Sequence, residues 1–106
     1  MTIEEEIKEQ IKVNPILLYM KGSPDAPQCG FSSKASQALI GCGKPFSFVD
    51  ILSNQEIRSN LPAVSEWPTF PQLFIKGELV GGSDIVSELY DSGELQKSID
   101  TVQFEE

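Results

Sequence analysis

The sequence predicts an α/β fold, a four-stranded mixed sheet flanked by helices, and three patterns carry that prediction. "ILLYM" at 16–20 is a short unbroken apolar run bounded by Pro15 and Gly22, as expected of a strand buried on both faces. A helical stretch separates it from a second strand, "FSFVDI" at 46–51, which makes one βαβ crossover. "QLFIK" and "GELVGG" then flank a Lys76-Gly77-Glu78 turn and read as a hairpin completing the sheet.

Each element has a local reason. Ile3, Ile7 and Ile11 recur at every fourth position among Glu and Lys, so residues 2–13 form a surface helix that stops before Asn14-Pro15. The first strand follows. "GSPDAPQ" at 22–28 holds two prolines and reads as a loop, and "CGFSSKASQALIGCG" at 29–43 reads as a helix closed by Gly41 and Gly43. After the second strand, "NQEIRSNL" at 54–61 is a short helix capped by Ser53 or Asn54, and "SEWPTFP" at 65–71 is a loop that its prolines keep from being helical. Beyond the hairpin, Ile85, Leu89, Leu95 and Ile99 repeat at helical spacing through 84–101, with a break at Ser92-Gly93. The order helix, β, α, β, α, β, β, α, with no repeat or linker, predicts a single domain over 1–106 in the thioredoxin-like arrangement.

Composition narrows the chemistry. With 40% apolar and 23% charged residues the chain is ordinary globular protein, and no apolar run approaches the ~20 residues of a membrane span. A net charge of −8, with eight cations scattered among sixteen acids, argues against nucleic-acid or anionic-membrane surfaces. The acidic, amphipathic "MTIEEEIKEQIKV" lacks the basic segment of a secretory signal, so a cytoplasmic protein with reduced thiols is expected. There is no histidine, which removes Ser-His-Asp triads, Cys-His pairs and His-based metal sites; any chemistry runs on thiolate, lysine, arginine and carboxylates.

Of the two cysteines, Cys29 is the one placed to react. It falls at the carboxyl end of a strand and the mouth of a helix, where unpaired N–H groups and the positive end of the helix dipole favour thiolate over thiol. Lys21, at the end of the first strand, adds a nearby cation. Ser32 stands where a C-x-x-C pair would hold its second thiol, so the site cannot resolve a mixed disulfide by itself. Cys42, between two glycines at a helix end, reads as a structural thiol.

"ILLYMKGSPDAPQCGFSSKA" and "WPTFPQLFIKGELVGGSDI" together resemble the monothiol glutaredoxins, those with a C-G-F-S active site, over about Pro15 to Leu95. That resemblance implies a glutathione cradle. Lys21 and Arg58 would pair with the glycyl carboxylate of the tripeptide, and Phe70-Pro71 would be a cis-proline loop whose backbone pairs with the ligand like a strand. The Ser83 and Asp84 N–H groups would receive the γ-glutamyl carboxylate, while the Asp84 carboxylate faces its ammonium; a plain helix N-cap explains either residue equally well. Trp67 reads as core or site wall. Many relatives carry cysteine at position 83, where this chain has serine, so an intramolecular disulfide to Cys29 there is not available.

The resemblance further implies a [2Fe–2S] cluster bridged in a homodimer by two copies of Cys29 and two glutathione thiols, since one thiolate per chain falls short of the usual four. It implies a BolA-type protein and apo iron–sulfur acceptor proteins as partners. The competing expectation is a glutathione-dependent thiol–disulfide oxidoreductase, at most a weak enzyme.

Overall fold

In the computed structural model, which describes residues 1–103, the elements are α1 (Ile3–Val13), β1 (Ile16–Met20), β2 (Gly22–Ser23), β3 (Ala26–Pro27), α2 (Gly30–Gly41), β4 (Ser47–Asp50), α3 (Gln55–Ser65), β5 (Gln72–Ile75), β6 (Glu78–Gly81), α4 (Ser83–Ser92) and α5 (Glu94–Asp100). The main sheet has the order β4-β1-β5-β6. β1 and β4 run parallel, with Leu17 opposite Ser47 and Met20 opposite Asp50; β5 is antiparallel to both β1 and β6.

The apolar run of β1 is continuous because both faces of the sheet are covered, and all five of its residues are buried. Ile16, Leu18 and Met20 point to one side and pack with Leu39 of α2, Val86 of α4 and Leu95 and Ile99 of α5. Leu17 and Tyr19 point to the other side, against Ile7 and Ile11 of α1 and Ile57 and Leu61 of α3. Each such aliphatic side chain contributes roughly 1.5–3 kcal/mol on burial. Tyr19 can be buried because its hydroxyl donates to Gln10 Oε1 at 2.8 Å, and its ring meets Phe74 edge-on at 5.8 Å. Burial pushes the Tyr19 phenol well above its ordinary pKa, with the Glu6 charge adding to the effect.

α1 begins with a capping box: Glu5 N–H donates to Thr2 Oγ1 at 3.1 Å, and Thr2 N–H donates back to Glu5 Oε1 at 3.2 Å. The break at Ser92-Gly93 is where α4 ends and α5 begins, with Gly93 left-handed at φ +85°. No helix among the described residues is long and apolar enough to cross a membrane.

Three expectations are corrected. The 22–28 segment is not all loop: Gly22 pairs with Pro27 and Ser23 with Ala26 in a miniature antiparallel ladder, closed by Ala26 N–H donating to Ser23 Oγ at 3.1 Å. α3 runs four residues past Leu61 and carries Pro62 within it. A proline there removes the bond to the carbonyl four residues back and crowds it, a local cost offset as Ile57, Leu61 and Val64 continue the apolar stripe against α1. Asn54 occupies the N-cap of α3 but makes no side-chain cap bond; its amide donates to Asp50 O at 2.8 Å, and the Ser53 hydroxyl donates to Asp50 Oδ2 at 3.1 Å.

Candidate thiol site

Cys29 is the N-cap of α2, with extended backbone at φ −155° and ψ 152°, so its side chain turns back over the first turn of the helix. The sulfur accepts the Ser32 N–H at 3.3 Å and lies 3.6 Å from Ser32 Oγ. Ser32 is fully buried, and its Oγ already accepts the Lys21 N–H at 3.0 Å. One lone pair of the hydroxyl is thus taken, which leaves its hydrogen for the sulfur once Cys29 ionises. Partial burial works to raise the Cys29 pKa; it is outweighed by the Ser32 N–H, the Ser32 hydroxyl, the Phe31 N–H and the Lys21 charge, and the thiol ends below its ordinary value.

The arrangement is held from behind by Gln28, Gly22 and Asp50. Gln28 N–H donates to Lys21 O at 2.9 Å, which brings the end of β1 beside the thiol. Gly22 turns the chain at φ +89°, where a Cβ would lie 2.5 Å from Ala26 O, so no other residue fits. Its N–H donates to Asp50 Oδ1 at 2.9 Å, and the same carboxylate accepts from the Leu52 N–H and the Ser53 hydroxyl. Desolvation of Asp50 works upward, yet these donors hold its carboxyl below the usual range. The only trace of this in the sequence is an acid at the end of a predicted strand.

Beside the thiol lies a cleft of about 390 Å³ whose walls include Phe31, Trp67, Thr69, Phe70, Ser83 and Asp84. Phe31, 63% exposed and two residues from Cys29, joins the thiol to the cleft. The Phe70-Pro71 bond is cis, as the resemblance implied. Pro71 is buried behind the wall, its carbonyl close to Gly82. Gln72, fully buried, donates through Nε2 to Trp67 O at 2.9 Å and to Thr69 O at 3.1 Å.

The N-cap of α4 is Gly82, which offers no side-chain acceptor, so the helix-cap explanation of Ser83 and Asp84 is not what the structure shows. Ser83 is the first helical residue, and its hydroxyl caps nothing. The first N–H groups of α4 therefore remain available to an anion at the cleft. Ser83 Oγ and Trp67 Nε1 are both buried without a partner within the protein.

Of the residues singled out from the sequence, Cys29 and Lys21 come together, and Phe70, Ser83 and Asp84 share the cleft. Arg58 is half-buried near the start of α3 and is not among the residues lining it. Cys42 caps the far end of α2, in the core, where burial and the Asp100 charge raise its thiol pKa. Thirteen residue steps along α2 separate the two cysteines by about 20 Å, against the roughly 4–7 Å between Cα atoms that a disulfide needs.

A cysteine with a lowered thiol pKa, capping the first helix after β1 of a thioredoxin-like sheet beside a cis-proline loop, defines a thioredoxin-like thiol protein. The chain belongs to the glutaredoxin family, whose model matches residues 16–80. It is a glutaredoxin 4-like member: glutaredoxin 4 of Escherichia coli K12 is 61% identical over 98 residues, covering 92% of this chain and 85% of that protein. Glutaredoxin 4 of Haemophilus influenzae 86-028NP is 59% identical over 87% of this chain and 86% of its own length. Among solved structures, reduced apo GrxS14 of poplar superposes with a TM-score of 0.79 at 43% identity, covering 93% of this chain and 91% of that one. The monomeric truncated 1-C-Grx1 of Trypanosoma brucei gives 0.83 at 39% identity, covering 94% and 91%. Glutathione is the thiol this family uses.

Proposed function

We propose that this chain is a monothiol glutaredoxin that holds a [2Fe–2S] cluster as cargo in a homodimer, with glutathione supplying the missing thiolates, and passes it to apo iron–sulfur acceptor proteins. The observation that carries the proposal is the pairing of Cys29 with Ser32: a stabilised, partly exposed thiolate whose neighbour cannot resolve a disulfide. Among the described residues no group of three or more His, Cys, Asp or Glu side chains is placed to hold a metal ion. On this reading each chain brings one Cys29, and the family resemblance supplies the rest of the set, a second Cys29 and two glutathione thiols.

A tripeptide with carboxylates and amides would occupy the cleft, with Lys21 and Arg58 reaching it from outside the lining. The N–H groups of Ser83 and Asp84 would take the γ-glutamyl carboxylate, the Asp84 carboxylate its ammonium, the Thr69–Phe70 backbone its central peptide, and Lys21 with Arg58 the glycyl carboxylate. Ligands held by such ionic contacts let go readily, which suits delivery. A BolA-type protein replacing one protomer is part of the same proposal, as is a cytoplasmic location that keeps Cys29 reduced.

Anaerobic reconstitution with ferrous iron, sulfide and glutathione should give a dimer with visible absorption, and Cys29→Ser should give none. The lowered thiol pKa also favours a second reading, deglutathionylation. There Cys29 sulfur attacks the glutathione sulfur of a mixed disulfide and releases the substrate thiol. A second glutathione then attacks the Cys29 adduct, leaving oxidised glutathione and the free thiolate. A colourless monomer that turns over glutathionylated protein rapidly would exclude the carrier and leave this reading.

A further inference from the structure

We infer that Gln72 is a positioning residue for the ligand cleft: its side-chain amide fixes the 66–71 loop so that the two walls of the cleft, the backbone ahead of Pro71 and the start of α4, stay in register. Gln72 is a fully buried polar side chain at the head of an otherwise apolar strand, and it faces the α1/α3 side of the sheet through its pairing with Tyr19. Nothing in the folding of β5 asks for an amide there, because leucine or methionine would fill the same space without a desolvation cost.

What the amide does is donate twice, to Trp67 O at 2.9 Å and Thr69 O at 3.1 Å. Both acceptors belong to residues that line the cleft. The direction is fixed by chemistry, since two carbonyls must face the NH₂ end. Gln72 Oε1 is left buried with no partner in the protein. The cost of that unpaired oxygen is set against the two bonds the amide makes to the loop.

The loop is tied in turn to α4. Trp67 Nε1 and Pro71 O both lie 3.4 Å from the point where a Cβ on Gly82 would sit. The indole edge and the proline carbonyl thus rest against the N-cap of α4, and a shift of the loop moves the wall that presents the Ser83 and Asp84 N–H groups. Cys29 is held by separate contacts: the Ser32 N–H donates to its sulfur, and the Lys21 N–H in turn donates to Ser32 Oγ. Ligand affinity and thiol reactivity should therefore separate.

The inference rests on glutathione being the ligand of the cleft. The experiment measures glutathione affinity by calorimetry and the pH profile of Cys29 alkylation by iodoacetamide, in wild type, Gln72→Met and Gln72→Glu. Methionine keeps the volume, and an ionised glutamate keeps the shape but can only accept. Both variants should bind glutathione about tenfold more weakly, with the alkylation profile unmoved. Folded variants that bind within twofold of wild type overturn the inference, as does an alkylation profile that moves with the affinity. If wild type binds no glutathione at millimolar concentration, the ligand assignment fails instead. Should neither variant fold, the wild-type protein still decides by NMR: the Gln72 side-chain NH₂ must exchange at least a hundredfold more slowly than an exposed amide, and free exchange overturns the positioning role.

Discussion

Ser32 meets Cys29 at two points, its backbone N–H donating to the sulfur at 3.3 Å and its hydroxyl oxygen lying 3.6 Å from the sulfur, while the same oxygen accepts from Lys21 N–H. The residue standing in place of a second thiol is therefore a stabiliser of the first one's charge. Ser32→Ala should move the alkylation profile of Cys29 to higher pH. The rate at neutral pH should fall about threefold to tenfold, the effect of losing a charge-assisted hydrogen bond worth on the order of 1 kcal/mol. An unmoved profile would mean that the helix N–H groups alone set the thiolate.

Asp50 should govern the acid limb of stability. Its carboxylate accepts from Gly22 N–H, Leu52 N–H and the Ser53 hydroxyl, and its pKa in the folded state is depressed. A depressed carboxyl contributes stability that is complete above its unfolded pKa, near 3.9, and is lost as pH falls through the lower folded value. Asp50→Ala should cost about 1–2 kcal/mol at neutral pH, and the gap from wild type should narrow below about pH 4. Urea melts at several pH values test this; a gap that stays constant on acidification would place the cost in packing.

The sheet and its two helical layers were legible because burial writes itself into the order of apolar residues. Ile16–Met20 suits a buried strand better than a helix and is one, and the Ser92-Gly93 break, which allows two helices or one kinked pair, separates α4 from α5. The end of α3 was not legible at Leu61, because Ile57, Leu61 and Val64 carry the apolar stripe across Pro62 to Ser65. The thiol was legible from its place between Pro27 and Gly30. The supports of the site were not: Ser32 and Asp50 behind the thiol, and Gln72 behind the cleft, act through bonds to backbone groups 11, 28 and 3–5 residues away, and such pairings leave no periodic trace.

The two cysteines should differ sharply in reactivity. Cys29 is partly exposed with a lowered pKa, whereas Cys42 is packed in the core with a raised one. In the native protein one thiol should react with Ellman's reagent within minutes and the second only after denaturation, a difference of at least a hundredfold in rate. Air oxidation should give an intermolecular disulfide or a glutathione adduct at Cys29, and no internal Cys29–Cys42 bridge, because α2 stands between them. An internal bridge seen by mass spectrometry in folded protein would contradict the helix.

The start of α4 offers a way to test its N–H groups without disturbing the fold. Ser83 is the first helical residue, where proline is well tolerated because that N–H has no partner in the helix, and Gly82 ahead of it is already extended at φ −95° and ψ −165°. Ser83→Pro removes one anion-binding donor and leaves α4 intact, so glutathione affinity should drop about tenfold with little change in melting temperature. Ser83→Ala keeps the N–H and deletes a buried hydroxyl that has no partner within the protein. It should be neutral or up to about 1 kcal/mol stabilising, and should bind glutathione within threefold of wild type. Equal losses of affinity in both variants would shift the binding role from the backbone to the hydroxyl.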